Sequence, residues 1–197
     1  FLTTRIFGEF GISSRVPNAS WSLLLADAAA ADRRFSVTTF SEVAALNVTG
    51  VLAPNYPGFD LSIPDTWRAR VFLDSFAREA PANLYIIQLP GDHTIGLTPG
   101  GPTPSAMVAN NDLAVGQIVE AISNSSLWPQ SVIFIVEDDS QAGVDHVDGH
   151  RTVCLVVSPF IRRGAVDSTL YNHLSVVRSI EELLGLPPMN KYDASAL

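Results

Sequence analysis

The chain has 197 residues, 47% hydrophobic and 16% charged, with 12 Lys and Arg against 20 Asp and Glu for a formal charge of −8. That much apolar surface in a chain of this length excludes a disordered polymer and is enough to bury a sizeable core within one domain. Nucleic acid is set aside as a partner, because no basic run exceeds the pairs Arg33-Arg34 and Arg162-Arg163 and such binding needs a basic patch. No membrane span is expected, since no apolar run approaches the roughly 18 to 20 residues that cross a bilayer.

Residues 1–63 read as loop-rich, with Pro54, Pro57 and Gly58 among short apolar runs and one clear helical stretch from Trp21 to Arg34. Residues 64–197 read as the core of a single α/β domain covering the chain. Asp65 opens a helix in which Ala69, Phe72 or Leu73, and Phe76 recur on one face, and Pro81 closes it. Leu84 to Leu89 is a short β-rich run stopped by Pro90-Gly91. Thr103-Pro104 then supplies an N-cap and a first-turn proline for a helix whose Val108, Val115, Ile118, Val119 and Ile122 share a face. Val132 to Val136 and Val153 to Val157 are continuous apolar runs, the pattern of strands buried on both faces of an α/β sheet. Cys154, the only cysteine, is expected there as a buried, inert thiol. The final helix runs from about Ser175 to Gly185, with Pro187-Pro188 beyond it.

The scarce histidines mark where chemistry would sit. Asp92-His93 follows one predicted strand, Asp138-Asp139 follows another, and Asp145-His146-Val147-Asp148-Gly149-His150 comes directly after. In an open α/β sheet ligands bind beyond the carboxyl ends of the strands, so these groups are expected to converge there. Carboxylates and imidazoles replace the hydration shell of a divalent cation and cancel its charge. The crowding of Glu137, Asp138 and Asp139 is repulsive unless a cation or a proton relieves it. A solvated acidic turn is the competing reading of the same residues. His173, near the start of the last helix, is read as a capping or core residue ahead of a further ligand. A helical crossover between Val136 and Val153 is not predicted, because Glu137 to Thr152 has no helical periodicity; the strand at Val153 is therefore expected to run antiparallel, which brings its start and His150 to the active edge.

Leu89-Pro90-Gly91-Asp92-His93-Thr94, then Pro104 to Asp112 with its Asn110-Asn111, then Val136-Glu137-Asp138-Asp139-Ser140-Gln141, Asp145 to Asp148, His150-Arg151, Ser158-Pro159, Arg163 to Thr169 and Gly185 to Met189 together resemble the bacterial phosphoesterases of the alkaline phosphatase superfamily. The group includes phospholipase C-like and acid phosphatase-like enzymes, and the likeness is to the branch often fused to a β-propeller. It runs from about Val51 to the C-terminus. The resemblance implies a three-layer α/β/α sandwich with a mostly parallel sheet and one antiparallel strand, and metal-dependent hydrolysis of phosphate esters through a Ser or Thr nucleophile. By position, Asp138 and Asp139 match a metal-binding aspartate pair and Asp92 and His93 a second ligand pair. His146 or His150 completes the set, with His150 the better placed. The metal is left as zinc, manganese or calcium, and a periplasmic or secreted location is implied, although nothing near Phe1 has the pattern of a signal sequence.

In that family the nucleophile and the first metal ligands lie in an upstream segment. Thr3, Thr4, Ser13 and Ser14 are not in a matching context, so the chain is expected to be the C-terminal portion of the catalytic domain, a partial domain whose nucleophile lies outside it. Two other readings stay open: sulfate or phosphonate ester hydrolysis on the same scaffold, and a non-catalytic metal-binding module.

Overall fold

Strand β1 (Thr4–Phe7) opens the computed structural model, which describes residues 1–16, 19–140, 148 and 150–197. It is followed by β2 (Ile12–Ser13), α1 (Trp21–Ala29), β3 (Thr39–Phe40), α2 (Ala44–Val48), α3 (Asp65–Arg78), β4 (Leu84–Ile87), a 3-10 turn over Pro90–His93 and α4 (Pro104–Ser123). After a second 3-10 turn at Trp128–Gln130 come β5 (Ile133–Val136), β6 (Cys154–Val157), α5 (His173–Leu184) and α6 (Lys191–Ala194). The chain divides into two units, Phe1–Ala121 and Ile122–Leu197. It is an α/β protein, with one parallel strand pair and two antiparallel ones among the described residues.

In the first unit, β1 pairs parallel with β4 in the register Thr4 with Leu84 to Phe7 with Ile87. On its other side Ile6 donates to Val51 O and accepts from Ala53 N, each at 2.8 Å, forming a parallel bridge to Leu52. The segment expected to be loop-rich therefore supplies a strand with partners on both sides. Four residues interrupted by Arg5 carry no period that a sequence reading could find. Phe7 sits at the centre of the core, edge-on to Tyr56 at 5.4 Å and to Phe72 at 5.1 Å, an arrangement that matches ring edges to ring faces. Leu24, Trp67, Val71 and Met107 are buried with them; each such side chain contributes about 1.5–3 kcal/mol on removal from water.

Helices α1, α3 and α4 begin where their sequences predict, whereas α2 has no counterpart among the expected elements. α3 carries Asp65 in its first turn and Arg78 in its last, each opposing the charge at that end of the helix, and buries Ala69 and Phe72 as expected. α1 stops at Ala29, short of Arg34, because Asp27 Oδ1 accepts the Arg34 backbone N–H and holds the following segment in a turn. Thr103 caps α4 by accepting from Ala106 N at 3.2 Å. The buried residues of α4 are Met107, Ala114 and Ile118; of the predicted face Ile118 is buried, Val115, Val119 and Ile122 are half-buried and Val108 is exposed.

In the second unit β5 and β6 pair antiparallel, Ile133 with Val157 through Val136 with Cys154, as the loop composition predicts. α5 has a capping box, with Asn172 accepting from Ser175 N and Ser175 Oγ accepting from the Asn172 N–H. Gly185 ends the helix at φ +67°, a conformation that glycine enters without steric cost. The expectation of strands buried on both faces fails within this unit: β5 is half-buried apart from an exposed Val136, and Cys154, Leu155 and Val156 are exposed. Cys154 is accordingly an exposed thiol. Among the described residues of this unit, the buried side chains are Ser158, Ser175, Glu181 and Asp193, all polar.

Candidate functional site

The predicted ligands fall in both units. In the first, β4 ends at Ile87 and the chain turns through Gln88 to Thr94 in a segment tied down at successive backbone groups. Gln88 N donates to Phe7 O at 2.9 Å, extending the β1 ladder, and Gln88 O accepts from the Tyr56 hydroxyl at 2.7 Å. Leu89 O accepts from Asn111 Nδ2 at 2.8 Å. Gly91 N donates to Asp65 Oδ2 at 2.7 Å. Only a residue without a Cβ permits that approach, since a Cβ at Gly91 would overlap the Asp65 carboxylate. Asp92 and His93 then lie in the 3-10 turn, both exposed, with the His93 ring edge-on to Phe59 at 5.6 Å. Thr94 closes the turn at φ +58° and ψ 166°, a region that belongs to glycine and costs about 1–3 kcal/mol for other residues.

Beneath this turn lies a buried ion pair. Asp65 and Arg68, one helical turn apart on α3, have side chains at 0% exposure, with Arg68 Nε 3.3 Å from Asp65 Oδ1. Neither of those two atoms completes a hydrogen bond, but Asp65 Oδ2 also accepts from Asn111 Nδ2 at 3.0 Å. Burial pushes the Asp65 carboxyl above its ordinary pKa, opposed by the Arg68 charge and by the bonds from Asn111 and Gly91. Burial likewise pushes the Arg68 guanidinium down and the Tyr56 hydroxyl up.

In the second unit the antiparallel pairing places the start of β6 beside the end of β5, and Thr152 Oγ1 donates to Glu137 Oε2 at 2.9 Å. Asp138 and Asp139 leave that same edge, with Asp138 Oδ1 accepting the Asp139 N–H at 3.0 Å. His150 is exposed, with its ring Nδ1 3.2 Å from Asp148 Oδ1. His173 is neither in a core nor a side-chain cap: its Nε2 is 2.8 Å from Glu137 O, tying the first residue of α5 to the end of β5. His146 lies outside the described residues.

Residues 103–187 match the model of the phosphoesterase family. No curated protein and no solved structure matches the chain. The phosphoesterase-like stretch covers all of α4 with Asn110 and Asn111, the β5 and β6 pair, Glu137 to Asp139, His150 and all of α5. It begins after Asp92 and His93, which precede α4.

The donors fit a divalent cation in kind, being carboxylate oxygens and imidazole nitrogens. They fall short in number within either unit: among the described residues, neither gathers three His, Cys, Asp or Glu side chains able to hold an ion, and a catalytic zinc takes three protein ligands. In the sequence Asp65 marks only the start of a helix, and nothing marks Arg68 or Tyr56. Nothing in the spacing of Asn111 reveals that its amide reaches 46 residues back to Asp65.

Proposed function

We propose that this chain is part of a metal-dependent hydrolase of phosphate esters, the C-terminal portion of a catalytic domain whose Ser or Thr nucleophile is supplied by an upstream segment. The observation that carries this reading is the phosphoesterase match over residues 103–187. The antiparallel β5 and β6 pair within that stretch brings the strand ends leading to Asp138, Asp139 and His150 to one edge. Asp92, His93, Asp138 and Asp139, with His146 or His150, are the proposed ligands. A bound divalent cation supplies a Lewis acid for the phosphoryl oxygens. His173 holds the carbonyl of Glu137, immediately before the aspartate pair, and so fixes the direction in which that pair leaves β5. The likeness to the β-propeller-fused bacterial branch and a periplasmic or secreted location belong to the same proposal.

Calorimetric titration of the 197-residue chain with manganese and zinc tests the ligand set. The expected result is weak binding that falls further, by roughly tenfold or more, in Asp138→Asn and Asp139→Asn, as loss of a charged ligand requires. Binding unchanged in both variants would remove the aspartate pair from the site. Joining the chain to the sequence that precedes it in its gene is expected to restore hydrolysis of p-nitrophenyl phosphate. Turnover of the sulfate or phosphonate ester instead would replace the substrate class, and retained metal binding without any turnover would leave a binding module.

A further inference from the structure

We propose that the buried pair of Asp65 and Arg68 is a positioning element for His93, reaching its imidazole from both sides; the functional use of that position rests on the proposed ligand role of His93. From one side, Asp65 Oδ2 accepts the N–H of Gly91, two residues before His93, at 2.7 Å. From the other, Arg68 donates through Nη1 to Pro57 O at 2.7 Å and through Nη2 to Asp60 O at 2.9 Å. Those two carbonyls bracket Phe59, whose ring meets His93 edge-on with an interplanar angle of 86°. One ion pair thus holds both the loop that carries the imidazole and the loop that carries its aromatic neighbour.

The two consecutive asparagines of α4 complete the device. Asn111 Nδ2 donates both to Asp65 Oδ2 and to Leu89 O, at 3.0 and 2.8 Å, so it bridges the carboxylate to the start of the His93 turn. Asn110 accepts from Thr66 N at 3.2 Å and donates to Thr66 Oγ1 at 2.9 Å, which fixes the first turn of α3 on which Asp65 rides. Stability alone does not account for the arrangement, because a fully buried ion pair is commonly no more stabilising than apolar residues of the same volume. The strained Thr94 points the same way: a threonine at φ +58° persists only where its surroundings over-determine the backbone, and Gln88, Leu89 and Gly91 are each pinned.

Nuclear magnetic resonance on the 197-residue chain tests this with and without metal. Without metal, the wild-type chain is expected to show cross-peaks between the His93 and Phe59 rings and a protected Gly91 amide. Asn111→Ala and Gly91→Ala are expected to lose both, and Phe59→Ala to keep Gly91 protected. With manganese chloride as the probe, the concentration that half-broadens the His93 ring signals should rise roughly ten- to a hundredfold in all three variants, the usual effect of losing a group that orients a ligand. Phe59→Tyr, which keeps the aromatic edge, should restore the wild-type midpoint. Phe59 is exposed and Asn111 half-buried, so their variants keep the test open should Gly91→Ala fail to fold. Intact ring cross-peaks and an unchanged manganese midpoint in Asn111→Ala, together with an unchanged midpoint in Phe59→Ala, would overturn the positioning role. Failure of manganese to broaden His93 in the wild-type chain would instead overturn its reading as a ligand; the metal-free comparison then decides the positioning claim by itself, intact cross-peaks in Asn111→Ala rejecting it and their loss supporting it.

Discussion

Asp27 shows how a single carboxylate can fasten three segments. Its Oδ1 accepts from Arg34 N at 2.6 Å, and its Oδ2 accepts from Phe35 N at 3.3 Å and from Trp67 Nε1 at 2.9 Å. Burial alone would raise its pKa, but the bonds from Arg34, Trp67 and Phe35 outweigh that and hold it below the ordinary value. A depressed carboxylate stabilises the folded state above its unfolded pKa of about 3.9, and that contribution is lost as pH falls through the lower folded value. Asp27→Asn is expected to cost about 1–3 kcal/mol at neutral pH, the penalty for a broken buried acceptor. The gap from the wild-type chain should narrow below about pH 4, measured as urea unfolding of each at several pH values. A constant gap down to pH 2.5 would show that Asp27 titrates alike in both states.

At the scale of elements, α5 is held at its ends by caps whose worth can be separated. Asn172→Ala removes the acceptor for Ser175 N and should cost about 1 kcal/mol. Gly185→Ala places a Cβ in open space, so its expected cost of about 1–2 kcal/mol is that of left-handed backbone alone. Circular dichroism during urea unfolding reads both, and a neutral Gly185→Ala would mean that the helix ends elsewhere in solution. The Asn172 cap was not legible in the sequence, where the helix is expected from about Ser175, two residues after it starts at His173. The C-terminal cap was legible, because Gly-Leu-Pro-Pro is a local signal. So was the antiparallel course of β6, which follows from a connecting loop without helical period. β1 was not legible: its four residues become a strand only through Val51 to Ala53 and Leu84 to Ile87, partners far along the chain. The same distance hid the support of the His93 turn. Asp92 and His93 stand out by residue type, whereas Asp65 and Arg68 look like an ordinary first helical turn until folding buries them.

Across the whole molecule the two units differ in what holds them. Phe7, Tyr56, Trp67 and Phe72 are among the buried apolar and aromatic side chains of the first, while the buried side chains of the second, among the described residues, are polar. Local opening is easiest where few apolar contacts resist it. Hydrogen exchange read by mass spectrometry is therefore expected to leave the amides of Ile6 and Ile86 protected long after those of Ile135 and Leu155 have exchanged. Equal protection in the two units would show that β5 and β6 are covered in solution by packing beyond that described here.

The pairing of Thr4 with Leu84 also has a temporal meaning. At the usual ribosomal pace of about 5–20 residues per second, the partner of β1 is synthesised roughly 4–16 s after β1 itself. Throughout that interval Phe7 has neither β4 nor the ring of Phe72 to pack against, so the order of translation, rather than the final contacts, sets how long this apolar segment stays unprotected.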